Sequence, residues 1–250
     1  MQDPLVEHYV EVLNVRFQRV TSGQAVEQIL HWIAEKTRRM VITAGPEFVM
    51  MARTDSVLRK ISQAADLVTA DGIGVVWAAA RLGRPMPERV TGVELVLALL
   101  DEASRRNQAL KVYIFGAQSA SLERCLCRFQ STYSGMTFAG HHGYTTDAEL
   151  PSVLEDIRAF APDLWLVGLG QPRQEVLIYE QLGSLPSCVA VGVGGSIDVW
   201  SGTLQRAPVV FRKLNLEWLY RLLRQPRRWK RQLVLPKFAF TVLMKRPPRA

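Results

Sequence analysis

Leu164-Trp165-Leu166-Val167-Gly168-Leu169-Gly170-Gln171-Pro172-Arg173-Gln174-Glu175 is the stretch on which the fold turns. A short apolar run reads as a buried strand over Leu164–Val167, glycines end it, and an amphipathic helix follows from Arg173 to Leu182. The same succession recurs along the chain. Strands are expected at Met40–Thr43, Leu67–Ala70, Lys111–Phe115 and Cys188–Val193. Helices are expected at Ala25–Lys36, Glu47–Gln63, Val93–Arg106, Leu122–Tyr133 and Leu150–Phe160. Repeated strand–helix alternation predicts an α/β fold, a Rossmann-like and mostly parallel sheet with helices on both faces.

Glycines follow several of these strands: Asp71-Gly72, Gly116, Gly168-Leu169-Gly170 and Gly192-Val193-Gly194-Gly195. In such sheets ligands bind beyond the carboxyl ends of the strands. Glycine admits a phosphate close to the backbone, and the next helix offers unpaired N–H groups. No Gly-Lys-Ser/Thr follows any run, so none is a P-loop, and none is a full dinucleotide fingerprint. Each alone reads as a turn. Four on one edge point to an anionic ligand such as a nucleotide diphosphate.

Composition narrows the class further. The chain has 250 residues, 48% hydrophobic and 22% charged, as expected for one globular α/β body with a tail. Cys125, Cys127 and Cys188 lack zinc-site spacing and read as reduced core thiols. The first ten residues carry no basic stretch leading into an apolar one, so no secretory signal is read there. Beyond residue 205 lie 13 of the 31 Lys and Arg but only one acid, Glu217. The preceding 205 residues are mildly acidic, with 18 bases against 22 acids. This divides the chain into an α/β body, 1–205, and a basic appendage, 206–250. In the appendage Trp229, Phe238 and Phe240 are interleaved with cations, and Leu233–Met244 is apolar but too short to span a bilayer. It reads as an interfacial element on an anionic membrane, or as a basic face against a partner subunit. Nucleic acid is the poorer fit, since the cations sit at one end with no recognition motif.

Several motifs together carry a resemblance. Thr69-Ala70-Asp71-Gly72-Ile73-Gly74-Val75-Val76-Trp77 is followed by Pro87-Glu88-Arg89-Val90-Thr91-Gly92. Then come Gly168–Glu175, Gly192-Val193-Gly194-Gly195-Ser196-Ile197-Asp198, Arg206-Ala207-Pro208 and Leu216–Leu223 continuing to Pro226-Arg227-Arg228. From about residue 10 to 240 the chain resembles the WecG/TagA/CpsF glycosyltransferases, glycosyltransferase family 26. The resemblance implies a Rossmann-like catalytic body with a basic C-terminal appendage. It implies transfer of a sugar, often N-acetylmannosamine or its uronic acid, from a UDP donor to a polyprenyl-diphosphate-linked sugar in cell-surface polysaccharide synthesis. Inversion at the anomeric carbon, no cofactor, no catalytic metal and a cytoplasmic position on the inner face of the plasma membrane are implied with it. Self-association is compatible with it. A non-catalytic nucleotide-binding module is the alternative reading of the same glycine edges.

Within that resemblance Asp71 becomes the candidate base for the acceptor hydroxyl; the competing reading is an N-cap for the helix near Ile73. Thr43 matches a family threonine that would hold the acceptor or orient the base, or it caps the helix at Pro46. Family members usually carry Thr-x-Asn-Pro-Glu where this chain has Thr43-Ala44-Gly45-Pro46-Glu47. Gly45 cannot supply an amide to a sugar, so the donor sugar is not fixed by the resemblance. Arg89 offers a fork for phosphate or carboxylate, and Gln174 can donate and accept toward sugar hydroxyls. Gly116 and Gly195 would bring backbone amides near the diphosphate or uracil, and Tyr144 would stack on or hydrogen-bond with the nucleotide. Asp198 bonds uracil or ribose, or caps a helix. His141 and His142, with no third ligand in view, read as loop residues. Arg221, Arg228 and Arg231 match the spacing of tail arginines in the family and would steady the departing UDP, or else bind lipid.

Overall fold

The structure is a computed structural model that describes residues 9–205, 207–208, 211, 219–220, 222 and 233–245. It opens with a hairpin, β1 (Tyr9–Val12) and β2 (Val15–Gln18), turned through Leu13 and Asn14, both at positive φ. Then come α1 (Ser22–Ala34), β3 (Arg39–Ala44), α2 (Pro46–Thr54), α3 (Ser56–Ala64), β4 (Leu67–Ala70), α4 (Ile73–Arg81) and α5 (Gly92–Arg105). They are followed by β5 (Lys111–Gly116), α6 (Ser119–Thr132), β6 (Thr137–His141), α7 (Leu150–Phe160), β7 (Leu164–Gly168), α8 (Arg173–Gln181), β8 (Val189–Gly192) and α9 (Ser196–Trp200). A last described helix, α10, runs over Val234–Met244.

Six strands form one parallel sheet in the order β4-β3-β8-β7-β5-β6. Strand alternation sorts its side chains into two cores. Met40, Ile42, Val68, Phe115, Trp165 and Val167 face α2, α3, α4, α7 and α8. Val41, Leu67, Val112, Ile114, Leu166 and Val191 face α1, α5, α6 and α9. The expected α/β class is thus present, doubly wound.

Local chemistry explains where the elements begin. Thr21 and Gln24 form a reciprocal capping box, so α1 starts three residues ahead of the expected Ala25. The single helix expected over Glu47–Gln63 is two. Asp55 leaves the helical region (φ −106°, ψ 115°), and its carboxylate accepts from the N–H groups of Val57 and Leu58. An aspartate that ends one helix and caps the next outweighs the apolar periodicity running through it. β6 lay outside the expected strands because its residues, Thr-Phe-Ala-Gly-His, are only partly buried and include a glycine.

Among the described residues no helix is long and apolar enough to cross a membrane. Helix α10 lies against α2 and α4, with Phe238 and Val242 buried in the first core. Leu233, Phe240, Leu243 and Met244 are exposed.

Candidate active site

Strand ends build the site. Thr43 and Thr69 are paired across β3 and β4, as are Ala44 and Ala70, and the Asp71 N–H donates to the Ala44 carbonyl (3.1 Å). Asp71 is therefore the first residue past the sheet. The loop returning from α4 is tied to the same spot. Val90 N–H donates to the Ala70 carbonyl (3.1 Å), and Thr69 Oγ1 donates to the Val90 carbonyl (3.2 Å). This places half-buried Arg89 and the start of α5 over the β4 end.

There the Gly92 N–H donates to Asp71 Oδ2 at 3.2 Å. Gly92 is the first residue of a 14-residue helix, whose positive end favours a carboxylate. The N-cap of α4 is Gly72 rather than Asp71. The capping alternative thus falls to a different contact: Asp71 reaches across to α5 and stays only half-buried. Thr43 lies beneath. It is 6% exposed and its hydroxyl donates to the Gly192 carbonyl (2.9 Å). A Cβ on Gly92 would come within 3.0 Å of Thr43 Oγ1, so the bare glycine lets Thr43 and Asp71 share one notch. Thr43 does not cap α2, whose N-cap is Gly45, again without a side-chain bond.

Gly45 itself borders open space, the nearest atom to a built Cβ being Gly72 N at 4.0 Å. Gly72 is the reverse case: its Cβ would stand 2.6 Å from Pro46 Cδ. The turns after β3 and β4 pack backbone on ring, and only a glycine fits at 72.

Farther along the edge lies the switch point. The chain leaves β5 toward β6 and leaves β7 toward β8, in opposite directions, and β5 and β7 are neighbours. Gly116 and Gly168 pair exactly across that gap. Gly116 has φ +151°, and a side chain on it would run into the Gly168 carbonyl. Gly143 N–H donates to the Ala117 carbonyl (2.9 Å), which brings the β6 loop alongside and leaves Tyr144 71% exposed at its rim. A crevice of this kind is where doubly wound sheets take nucleotides. His141 and His142 lie there too, His141 Nδ1 2.9 Å from the His142 carbonyl oxygen. Among the described residues no group of three or more His, Cys, Asp or Glu is placed to hold a metal.

Between notch and crevice, Gln174 is turned into the protein. It is 1% exposed, and its Oε1 accepts from Gly194 N–H (2.9 Å) and Gly170 N–H (3.2 Å). The amide expected to meet sugar hydroxyls instead holds the two glycine loops together. Gly195 is exposed as the N-cap of α9, and Asp198 sits in that helix's first turn without acting as its cap. Arg221, Arg228 and Arg231 lie outside the described residues.

Sequence reasoning passed over three contributors: the Gly92 amide, Gln171, whose Nε2 donates to the Thr43 carbonyl (3.2 Å), and buried Glu175. The available signal was the Gln174-Glu175 pair, two polar residues where α8 faces the sheet.

A carboxylate on the carboxyl edge of a doubly wound sheet, with a glycine-lined crevice beside it, is the layout in which α/β enzymes bind their ligands. The chain belongs to the Glycosyl transferase WecG/TagA/CpsF family, which it matches over residues 10–250, and it is a glycosyltransferase. It is 37% identical over 235 residues to a Staphylococcus aureus (strain MW2) protein, covering 93% of this chain and 91% of that one. That relative is named N-acetylglucosaminyldiphosphoundecaprenol N-acetyl-beta-D-mannosaminyltransferase. The protein of the same name from strain MRSA252 is likewise 37% identical over 235 residues, with the same coverage of both chains.

Proposed function

We propose that the protein transfers an N-acetylmannosamine-type sugar from a UDP donor to a polyprenyl-diphosphate-linked sugar, with inversion and without a metal, at a membrane surface. The observation that carries this reading is the half-buried Asp71 carboxylate, held by the α5 N-terminus in a notch beside the nucleotide-type crevice. The name those relatives carry supports the lipid-linked acceptor and the sugar. The acceptor hydroxyl attacks the anomeric carbon, Asp71 takes its proton, and the bond to UDP breaks on the opposite face. Arg89, Arg221, Arg228 and Arg231 are the guanidinium groups assigned to the diphosphate charge that develops. Gly116, Gly195, Tyr144 and Asp198 are assigned to the nucleotide.

The test is UDP release from several UDP-sugars with a lipid-diphosphate sugar acceptor. Asp71→Asn lowers turnover by about 10²–10⁴-fold while UDP still binds. A change of only a few-fold removes Asp71 as the base. Rates are expected to survive EDTA; strict dependence on Mg²⁺ or Mn²⁺ overturns the metal-free mechanism.

A further inference from the structure

Glu175 is fully buried where α8 crosses β3, β7 and β8, directly behind the loops that frame the proposed donor site. Its Oε1 accepts from Gln174 Nε2 (2.8 Å), and Gln174 in turn holds the Gly170 and Gly194 amides. A Cβ on Gly192 would lie 2.7 Å from Gln174 Nε2 and 3.3 Å from Glu175 Oε1, so the pair presses on the end of β8. Gly192 in turn receives the Thr43 hydroxyl. One side-chain pair therefore touches the turns after β7 and β8 and, through Gly192, the end of β3.

Glu175 Oε2 is buried with no hydrogen-bond partner in the described structure. Burial pushes this carboxyl up to about 7, against the opposing pull of the Gln174 amide, its own backbone N–H and the Gln171 amide. Among the described residues no ionised group offsets that burial. On the elements packed around α8, Arg59 donates to the Ala52 and Arg53 carbonyls, Lys60 is exposed and Arg39 pairs with Asp66. Cys188, just before β8, is itself raised by burial. On α8, Arg173, Tyr179 and Glu180 are exposed, and β7 and β8 carry no titratable side chain.

A buried carboxylate with one oxygen unpartnered must recruit donors, and the amides within reach are those of Gln174 and Gln171. Gln174 cannot turn toward it without releasing Gly170 or Gly194. Gln171 already gives one of its two amide N–H groups to the Thr43 carbonyl, so any shift of that amide toward Glu175 pulls on the Thr43 bond. We propose that Glu175 is a positioning residue, a proton-holding latch: the Gly168–Gln171 and Gly192–Gly195 loops keep their ligand-binding geometry only while its carboxyl is neutral. This rests on the UDP reading above for its ligand, though not for its effect on the loops.

The experiment uses the full chain, wild type and Glu175→Gln, whose amide copies the neutral acid in shape and in lacking charge, and cannot ionise. UDP affinity is measured from pH 6 to 8.5. Because UDP's own phosphate titrates in both proteins, the difference between their profiles is the readout. Wild-type affinity, relative to the variant and to its value at pH 6, falls roughly tenfold by pH 8, as the competent fraction drops. Parallel profiles overturn the proposal. A second readout needs neither ligand nor variant. Hydrogen-exchange protection of the Gly170 and Gly194 amides, corrected for intrinsic pH effects, falls through pH 7 in the wild type. Constant protection overturns the latch. Absence of UDP binding at every pH, with protection still falling, sinks the ligand assignment and leaves the loop coupling supported.

Discussion

Gly45 and Gly72 face one another across the notch, yet they answer to different constraints. A methyl group at 72 meets the rigid Pro46 ring at 2.6 Å, whereas one at 45 meets nothing closer than 4.0 Å. Gly72→Ala should therefore cost about 1–3 kcal/mol, as overpacking of a fixed neighbour does. It should also displace the adjacent Asp71 and lower turnover by up to about 10²-fold. Gly45→Ala meets no such clash and loses only the N-cap preference of glycine over alanine, so it should cost less than about 1 kcal/mol and lower the melting temperature by no more than about 4 °C. Thermal melts and UDP-release assays of both variants check this, and equal effects at the two positions would contradict the packing described. The place of Asp71 just past a strand end was legible as a local pattern, whereas its reading as a base came from the family resemblance. The Gly92 amide that orients it was not legible, since the contact spans 21 positions and depends on where the α4–α5 loop returns.

At the scale of elements, the break between α2 and α3 depends on Asp55. Asp55→Ala removes two capping bonds and should lower stability by about 1 kcal/mol, a fall of about 2–4 °C in Tm with activity retained. An unchanged melt would mean the helix break is set by packing instead. Strands such as Leu164–Val167 could be read because burial on both faces leaves a continuous apolar run. The β1–β2 hairpin could not be read so easily. It needs positive φ at Leu13, a residue with no turn preference, and its place is set by distant α4 and β4. Gln174 shows the same limit within the site. Its residue type permits sugar contacts, and only the fold reveals that its amide is already engaged by two backbone N–H groups.

For the molecule as a whole, α10 joins the C-terminal stretch to the body. Phe238 and Val242 seat on α2 and α4, Arg53 donates to Thr241 Oγ1 (3.4 Å), and Phe240, Leu243 and Met244 remain outside. If that outer face meets lipid, Phe240→Ser with Leu243→Ser should reduce binding to anionic vesicles several-fold or more, since each apolar side chain buried contributes about 1.5–3 kcal/mol. Transfer to a short-chain soluble acceptor should persist, because neither residue packs inward. Vesicle sedimentation beside that assay tests the point; undiminished vesicle binding would assign the face to another partner.

The hairpin has an effect at this scale too. β4, which delivers Asp71, is the last strand of its sheet, and β2 lies along it with Gln18 Oε1 accepting from Val68 N–H (2.7 Å) and its Nε2 donating to the Asp66 carbonyl (3.4 Å). One glutamine thus occupies backbone groups that an extended foreign peptide would otherwise use. Those two groups are thus closed to sheet extension on that flank, and the strand leading into Asp71 is spared the tug of a docked neighbour there.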